Sequence, residues 1–97
     1  MTMKQQVIEA GGGRSYDWSS DHICVKTSCD HADSRLTMVE DTLKPGFHLG
    51  FHYHKTMTEV FYVLEGDMTF NFEDETVVAS PGMTINIPPN VTHEVVC

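Results

Sequence analysis

His52 and His54 stand two residues apart in the run Phe51-His52-Tyr53-His54, and Glu59 follows five residues later. In an extended strand, side chains two apart share a face, so these two imidazoles aim the same way, about 7 Å apart along the chain. Glu59 opens the next β-rich run after a short connection of residues 55–58. It can return antiparallel beside His54 and add a carboxylate. His93 belongs to the last extended segment, far away in sequence but able to come near in a closed barrel. Three neutral imidazoles and one carboxylate make a mixed N/O donor set for a first-row divalent ion: Fe²⁺, Mn²⁺, Co²⁺, Ni²⁺, Cu²⁺ or Zn²⁺. Four protein ligands leave one or two positions open on a five- or six-coordinate ion, the layout of a reactive site and not of a closed structural one. The remaining histidines, His22, His31 and His48, read as surface or satisfied core residues. Among them His48 shares parity with His52 and is a candidate lining of the site mouth.

The elements that must position these groups read as short strands. Helical periodicity is confined to residues 3–10, where Gly11, Gly12 and Gly13 would end a short helix. From about Asp21 onward, eight extended segments are expected: 22–29, 35–43, 47–54, 59–64, 68–72, 76–79, 83–87 and 91–97. Turns such as Lys44-Pro45-Gly46, Glu65-Gly66-Asp67, Ser80-Pro81-Gly82 and Pro88-Pro89-Asn90 punctuate them. Eight short strands with Gly/Pro punctuation point to an all-β barrel or sandwich. Residues 1–20, rich in Gly and Ser toward their end, read as a loose arm, and residues 21–97 as one barrel domain. Phe61, Val63, Phe70, Phe72, Ile85 and Ile87 are the expected filling of the barrel. Met38, Met57, Met68 and Met83 are also expected in the core.

The same residues carry a resemblance. From Gly46 through His52, His54 and Glu59 to Gly66, the chain fits Gly-x5-His-x-His-x4-Glu-x6-Gly, which resembles the first motif of the cupin superfamily. Gly82, Pro88 and His93 hold their places in the second motif, Gly-x5-Pro-x-Gly-x2-His-x3-Asn. Asn90 replaces that motif's Gly and Cys97 its final Asn. Asn is the commonest non-glycine residue at positive φ, so the turn survives the first change. By this chain's own residue frequencies, the first motif arises by chance about once in 10⁴ such chains.

The resemblance implies a small jelly-roll β-barrel with one divalent transition metal held by His52, His54, Glu59 and His93. It implies a small-molecule substrate and, by similarity to quercetinase-like cupins, dioxygenase-type chemistry on an oxygen-bearing organic compound, with Glu59 as the catalytic carboxylate. The alternatives are a metal-dependent isomerase, lyase or cyclase, a non-catalytic binding module, and a metal-free barrel using the same groups as acid and base, as the sugar epimerases of this superfamily do. Cupin domains usually continue past the second motif, whereas this sequence stops at Cys97. The expectation is therefore a barrel incompletely closed at its C-terminal side. Its open edge would be covered by the 1–20 arm of a second copy, in a homodimer. Cys97 has the parity of His93 and is either a thiol facing the site or an exposed terminal one.

Length and charge bound the rest. The 97 residues make one domain, with a net charge of −8. Residues 1–55 hold six basic and seven acidic side chains; residues 56–97 hold seven acids and no Lys or Arg. No basic footprint exists for nucleic acid, and anionic membrane surfaces would repel the chain. No stretch approaches the length of a membrane span, and residues 1–13 do not resemble a secretory signal. Cys24 and Cys29 are five apart and so on opposite faces of a strand. All three cysteines, Cys24, Cys29 and Cys97, are expected as free thiols in a cytoplasmic protein.

Overall fold

The computed structural model describes residues 5–28 and 36–97, and the fold they form is all-β. Nine strands follow one another: β1 (Arg14–Asp17), β2 (Asp21–Thr27), β3 (Met38–Leu43), β4 (His48–His52), β5 (Glu59–Tyr62), β6 (Met68–Phe72), β7 (Thr76–Ala79), β8 (Thr84–Ile87) and β9 (His93–Val96). Among the described residues there is no helix, and so none long and apolar enough to cross a membrane. The strands form three separate sheets, and no sheet closes on itself. Two compact units divide the chain, Met1–Lys44 and Pro45–Cys97.

The first unit is the antiparallel sheet β1-β2-β3. β1 falls inside the stretch expected to be a loose arm. Its four residues are all exposed, so no apolar alternation announces it. What places it is Gly13, at φ +103°, where a Cβ would lie 2.2 Å from the Val25 carbonyl oxygen. Only glycine permits so close an approach. The buried Cys24 thiol and the Lys26 ammonium both donate to the Gly12 carbonyl, each at 2.8 Å, and draw the preceding residues onto β2. The short helix expected near residues 3–10 does not form over its described part. Val7 and Ile8 are exposed there, so they do not supply the buried apolar face that would stabilise a helix of two turns. Cys29 and His31 lie outside the described residues.

Two acids meet on one face of this sheet. Asp21 pairs with Leu43 and Asp41 with Ile23, which makes Asp21 and Asp41 diagonal neighbours. Asp21 is only 9% exposed. Loss of hydration, then the charge of Asp21 and a hydrogen bond with it, push Asp41 up to about 6; the charge of His22 opposes the shift. Folding thus favours the protonated form of Asp41. The stability it contributes is greatest below its ordinary pKa and is lost as pH rises through about 6. Asp41 is itself exposed, so solvent screens the effect, and Asp41→Asn should raise the urea midpoint only slightly at about pH 7.5, the gain over wild type shrinking toward pH 4.5. A gain of equal size at both pH values would remove this account.

The second unit holds the four-stranded sheet β4-β9-β6-β7 and the two-stranded sheet β5-β8. Their facing sides enclose one apolar cluster: Val63, Phe70, Ala79, Ile87 and Val95, with Phe47, Phe61, Met68, Phe72, Val77, Ile85 and Val91 packed against it. Every residue expected as barrel filling is in this set. Met68 joins it, but Met38, Met57 and Met83 are exposed. In β5 and β8 alternate residues turn inward, so Glu59, Phe61, Ile85 and Ile87 share the core-facing side. In β9 the inward pair is His93 and Val95. The sheet's outer face is tied across all four strands. His48 donates to Glu94 at 2.6 Å, Asn71 donates to Glu94 at 2.7 Å, and Thr76 donates to Asn71 at 2.8 Å. The bond from His48, then that from Asn71, hold the Glu94 carboxyl below its usual range.

Candidate metal centre

His52, the last residue of β4, is paired with His93, the first residue of β9. The ladder between these strands is irregular. His48 faces Val96 and Leu49 faces Val95, but His52 faces His93. β4 therefore uses three steps where β9 uses two, which is a β-bulge at Gly50 and Phe51. One extra residue reverses parity, so His48 and His52 fall on opposite faces of the sheet. His48 sits on the outer face against Glu94, and His52 faces inward beside His93 with ring centroids 4.2 Å apart. The sequence expectation that His48 could line the site mouth is corrected by this bulge.

His54 lies just past β4, where no ladder fixes it. Its carbonyl instead accepts the Asn90 N–H at 2.7 Å. Glu59 enters from the other sheet, at the start of β5. Glu59 Oε1 stands 3.4 Å from His54 Nε2 and 3.3 Å from His93 Nε2. One donor atom from each of His52, His54, Glu59 and His93 can be chosen so that all lie within 4.8 Å of one another. Two ligands about 2.1 Å from one ion are separated by about 3 Å when cis and about 4.2 Å when trans. A contraction of a few tenths of an ångström would gather the set around one ion. His93 is fully buried, while His54 and Glu59 are each about one-third exposed, so the cluster has one sealed and one open side.

The hydrogen bonds fix which nitrogen is available. His52 Nδ1 lies 2.8 Å from the Gly50 carbonyl, and His93 Nδ1 lies 2.9 Å from the Val91 carbonyl. A carbonyl only accepts, so each Nδ1 carries the proton and each Nε2 keeps its lone pair. This is the support that metal-binding imidazoles ordinarily have. The inward atoms lack any such partner: His54 Nε2, Glu59 Oε1 and His93 Nε2 are buried and make no hydrogen bond. Buried polar atoms without partners are uncommon and call for an explanation. A divalent cation fits this site, because it would satisfy two imidazoles and a carboxylate at once.

Sequence reasoning found all four residues that converge. It missed Gly50 and Val91, and the contact of Asn90 with His54, because all three act through backbone atoms. Cys97 keeps the parity of His93 and Val95 but lies past the end of β9, where it is exposed.

Residues 39–97 match the family model described as the cupin domain, and with these strands and this cluster the chain belongs to that family. It is 28% identical over 87 residues to quercetin 2,3-dioxygenase of Bacillus subtilis, covering 90% of this chain and 26% of that protein. It is 30% identical over 61 residues to an uncharacterized protein of Methanocaldococcus jannaschii, covering 63% of this chain and 49% of the other. The chain thus spans about a quarter and about half of the lengths of these curated relatives. Among solved structures, an RmlC-like cupin from Shewanella frigidimarina superimposes with a TM-score of 0.73 at 20% identity, covering 100% of this chain and 84% of the other. A cupin-2 domain containing protein from the same organism gives 0.51 at 20% identity, covering 82% and 62%. These likenesses establish the fold.

Proposed function

We propose that the protein is a metal-dependent small-molecule cupin of the dioxygenase type, with one divalent transition metal held by His52, His54, Glu59 and His93. The observation that carries this reading is the convergence of three buried polar atoms without hydrogen bonds, from β5, β9 and the segment after β4, onto one point. A redox-active ion bound there would supply O₂ chemistry, and any divalent ion would polarise substrate oxygen atoms. With neutral imidazoles and one carboxylate, the centre would carry a net charge of about +1, which favours an anionic, oxygen-bearing ligand. Glu59 uses Oε1 toward the imidazoles, leaving Oε2 to accept a proton from a substrate hydroxyl at the open side. Similarity to the B. subtilis quercetin 2,3-dioxygenase supports the oxygenase reading over an isomerase or a binder. We also propose a homodimer in the cytoplasm; light scattering that found only a monomer would dismiss the dimer.

The test is metal content per chain by elemental analysis, on protein purified without chelator or added metal, beside a His54→Ala control. Near-stoichiometric iron, manganese, nickel or copper that falls several-fold in the variant supports the reading, and O₂ consumption is then measured. Zinc retains the site but favours Lewis-acid chemistry. Protein and variant that both stay metal-free after incubation with each ion would overturn it.

A further inference from the structure

Asn90 is the one described residue other than glycine with a positive φ, at 68°. It sits in the turn between β8 and β9, directly after Pro88 and Pro89. Two consecutive residues of this turn reach two different members of the cluster. The Asn90 N–H donates to the His54 carbonyl at 2.7 Å, and the Val91 carbonyl accepts the Nδ1–H of His93 at 2.9 Å. The first bond fixes the backbone of a residue that no strand ladder holds. The second fixes the ring orientation and tautomer of the fully buried imidazole.

We propose that Asn90 is the positioning residue of the centre: its left-handed backbone sets the course of the turn, which carries its own N–H to His54 and, one residue on, the Val91 carbonyl to His93, so that a single turn aims both imidazoles. The inference concerns the arrangement of the two rings, and it rests on the metal reading only for its affinity readout. Its logic is conformational. The peptide groups on either side of Asn90 take their relative direction from its φ and ψ, and Val91 follows the second of them. Glycine adopts this region freely and asparagine tolerates it, whereas a β-branched residue is strongly disfavoured there. Restoring a negative φ would turn the chain after Asn90 relative to its own N–H and displace Val91, so that the bonds to His54 and to His93 would no longer be made together. The Asn90 side chain makes neither bond. The effect of a substitution should therefore follow the backbone preference of the new residue and not its polarity.

The experiment compares wild type with N90G, N90A and N90V, keeping N90A as the milder change where N90V folds poorly. The first readout needs no metal: imidazole ¹⁵N NMR of chelator-treated protein. We expect His93 as the Nδ1–H tautomer in wild type and N90G, and a mixture of tautomers in N90V, with N90A between. The second readout is Co²⁺ titration followed by visible absorption. N90G should bind like wild type, and N90V about 10–100-fold more weakly with an altered spectrum, the loss typical of removing an outer support. Tautomers and affinities unchanged in N90V would overturn the proposal, and so would N90G behaving like N90V. Wild type that binds no Co²⁺ but shows the tautomer dependence would sink the metal reading and leave the positioning role supported.

Discussion

Glu59→Gln is expected to make the metal-free protein more stable while depriving it of its ion. In wild type, Glu59 Oε1 lies 3.3 and 3.4 Å from the Nε2 atoms of His93 and His54, and none of the three makes a hydrogen bond. His93 Nε2 presents a lone pair, because its Nδ1 proton is committed to the Val91 carbonyl. A carboxylate oxygen facing a lone pair is an acceptor facing an acceptor. A glutamine amide has the same shape but offers N–H donors, one of which can bond His93 Nε2. A buried polar atom left unsatisfied costs about 1–3 kcal/mol, and part of that is recovered. For a domain of this size, each kcal/mol moves Tm by about 4–8 °C. In the presence of chelator, the variant should thus melt several degrees above wild type. With Co²⁺ or Mn²⁺ the order should reverse. Wild type at about 100 times its Kd gains about 2.7 kcal/mol. The variant, lacking the anionic ligand, should gain little. Scanning calorimetry with and without the ion reads both effects. A variant less stable than wild type in chelator would remove the idea that the cluster is built for a cation.

How much of this was legible in the sequence follows the physics of each element. β2 to β9 were readable because alternating side chains and Gly/Pro turns are local signals; that Glu59 shares the core-facing side of β5 with Phe61 appears in the folded sheet. The four converging residues were readable because His-x-His and the distant Glu and His are chemically distinctive. β1 was hidden, since Arg14–Asp17 is exposed throughout and is held by the close approach of Gly13 to Val25. The bulge at Gly50 was hidden too. It is a property of the β4–β9 pairing, and it alone separates His48 from His52, which period-two reasoning puts together. Residues 3–10 have a helical pattern, but over the described part, from residue 5, no helix forms, and Val7 and Ile8 are left exposed. Asn90 was readable as tolerant of a positive φ, but the reach of its N–H to His54 appears only when the turn is folded against the cluster.

Phe70→Ala should come close to unfolding the protein, and the added ion should partly rescue it. Phe70 is fully buried, opposite Val77 on one side and Val95 on the other. Its ring meets Phe61 edge-on with centroids 5.0 Å apart. Phe61 belongs to β5, two residues from Glu59, and Val95 belongs to β9, two residues from His93. This aromatic contact is therefore the seam that joins the sheet carrying the carboxylate to the sheet carrying the buried imidazole. Removing such a ring costs about 3–5 kcal/mol, against a total of about 5–15 kcal/mol for an ordinary domain. A small core makes the lower end of that total the relevant one. An ion held by Glu59 and the histidines together would resist opening of the same seam and return about 2.7 kcal/mol at 100 times Kd. Urea melts of the Phe70→Ala variant in chelator and in Co²⁺ should differ by more in midpoint than the margin the truncation leaves. A folded variant that binds Co²⁺ with wild-type affinity would show that centre and core are not coupled through this contact.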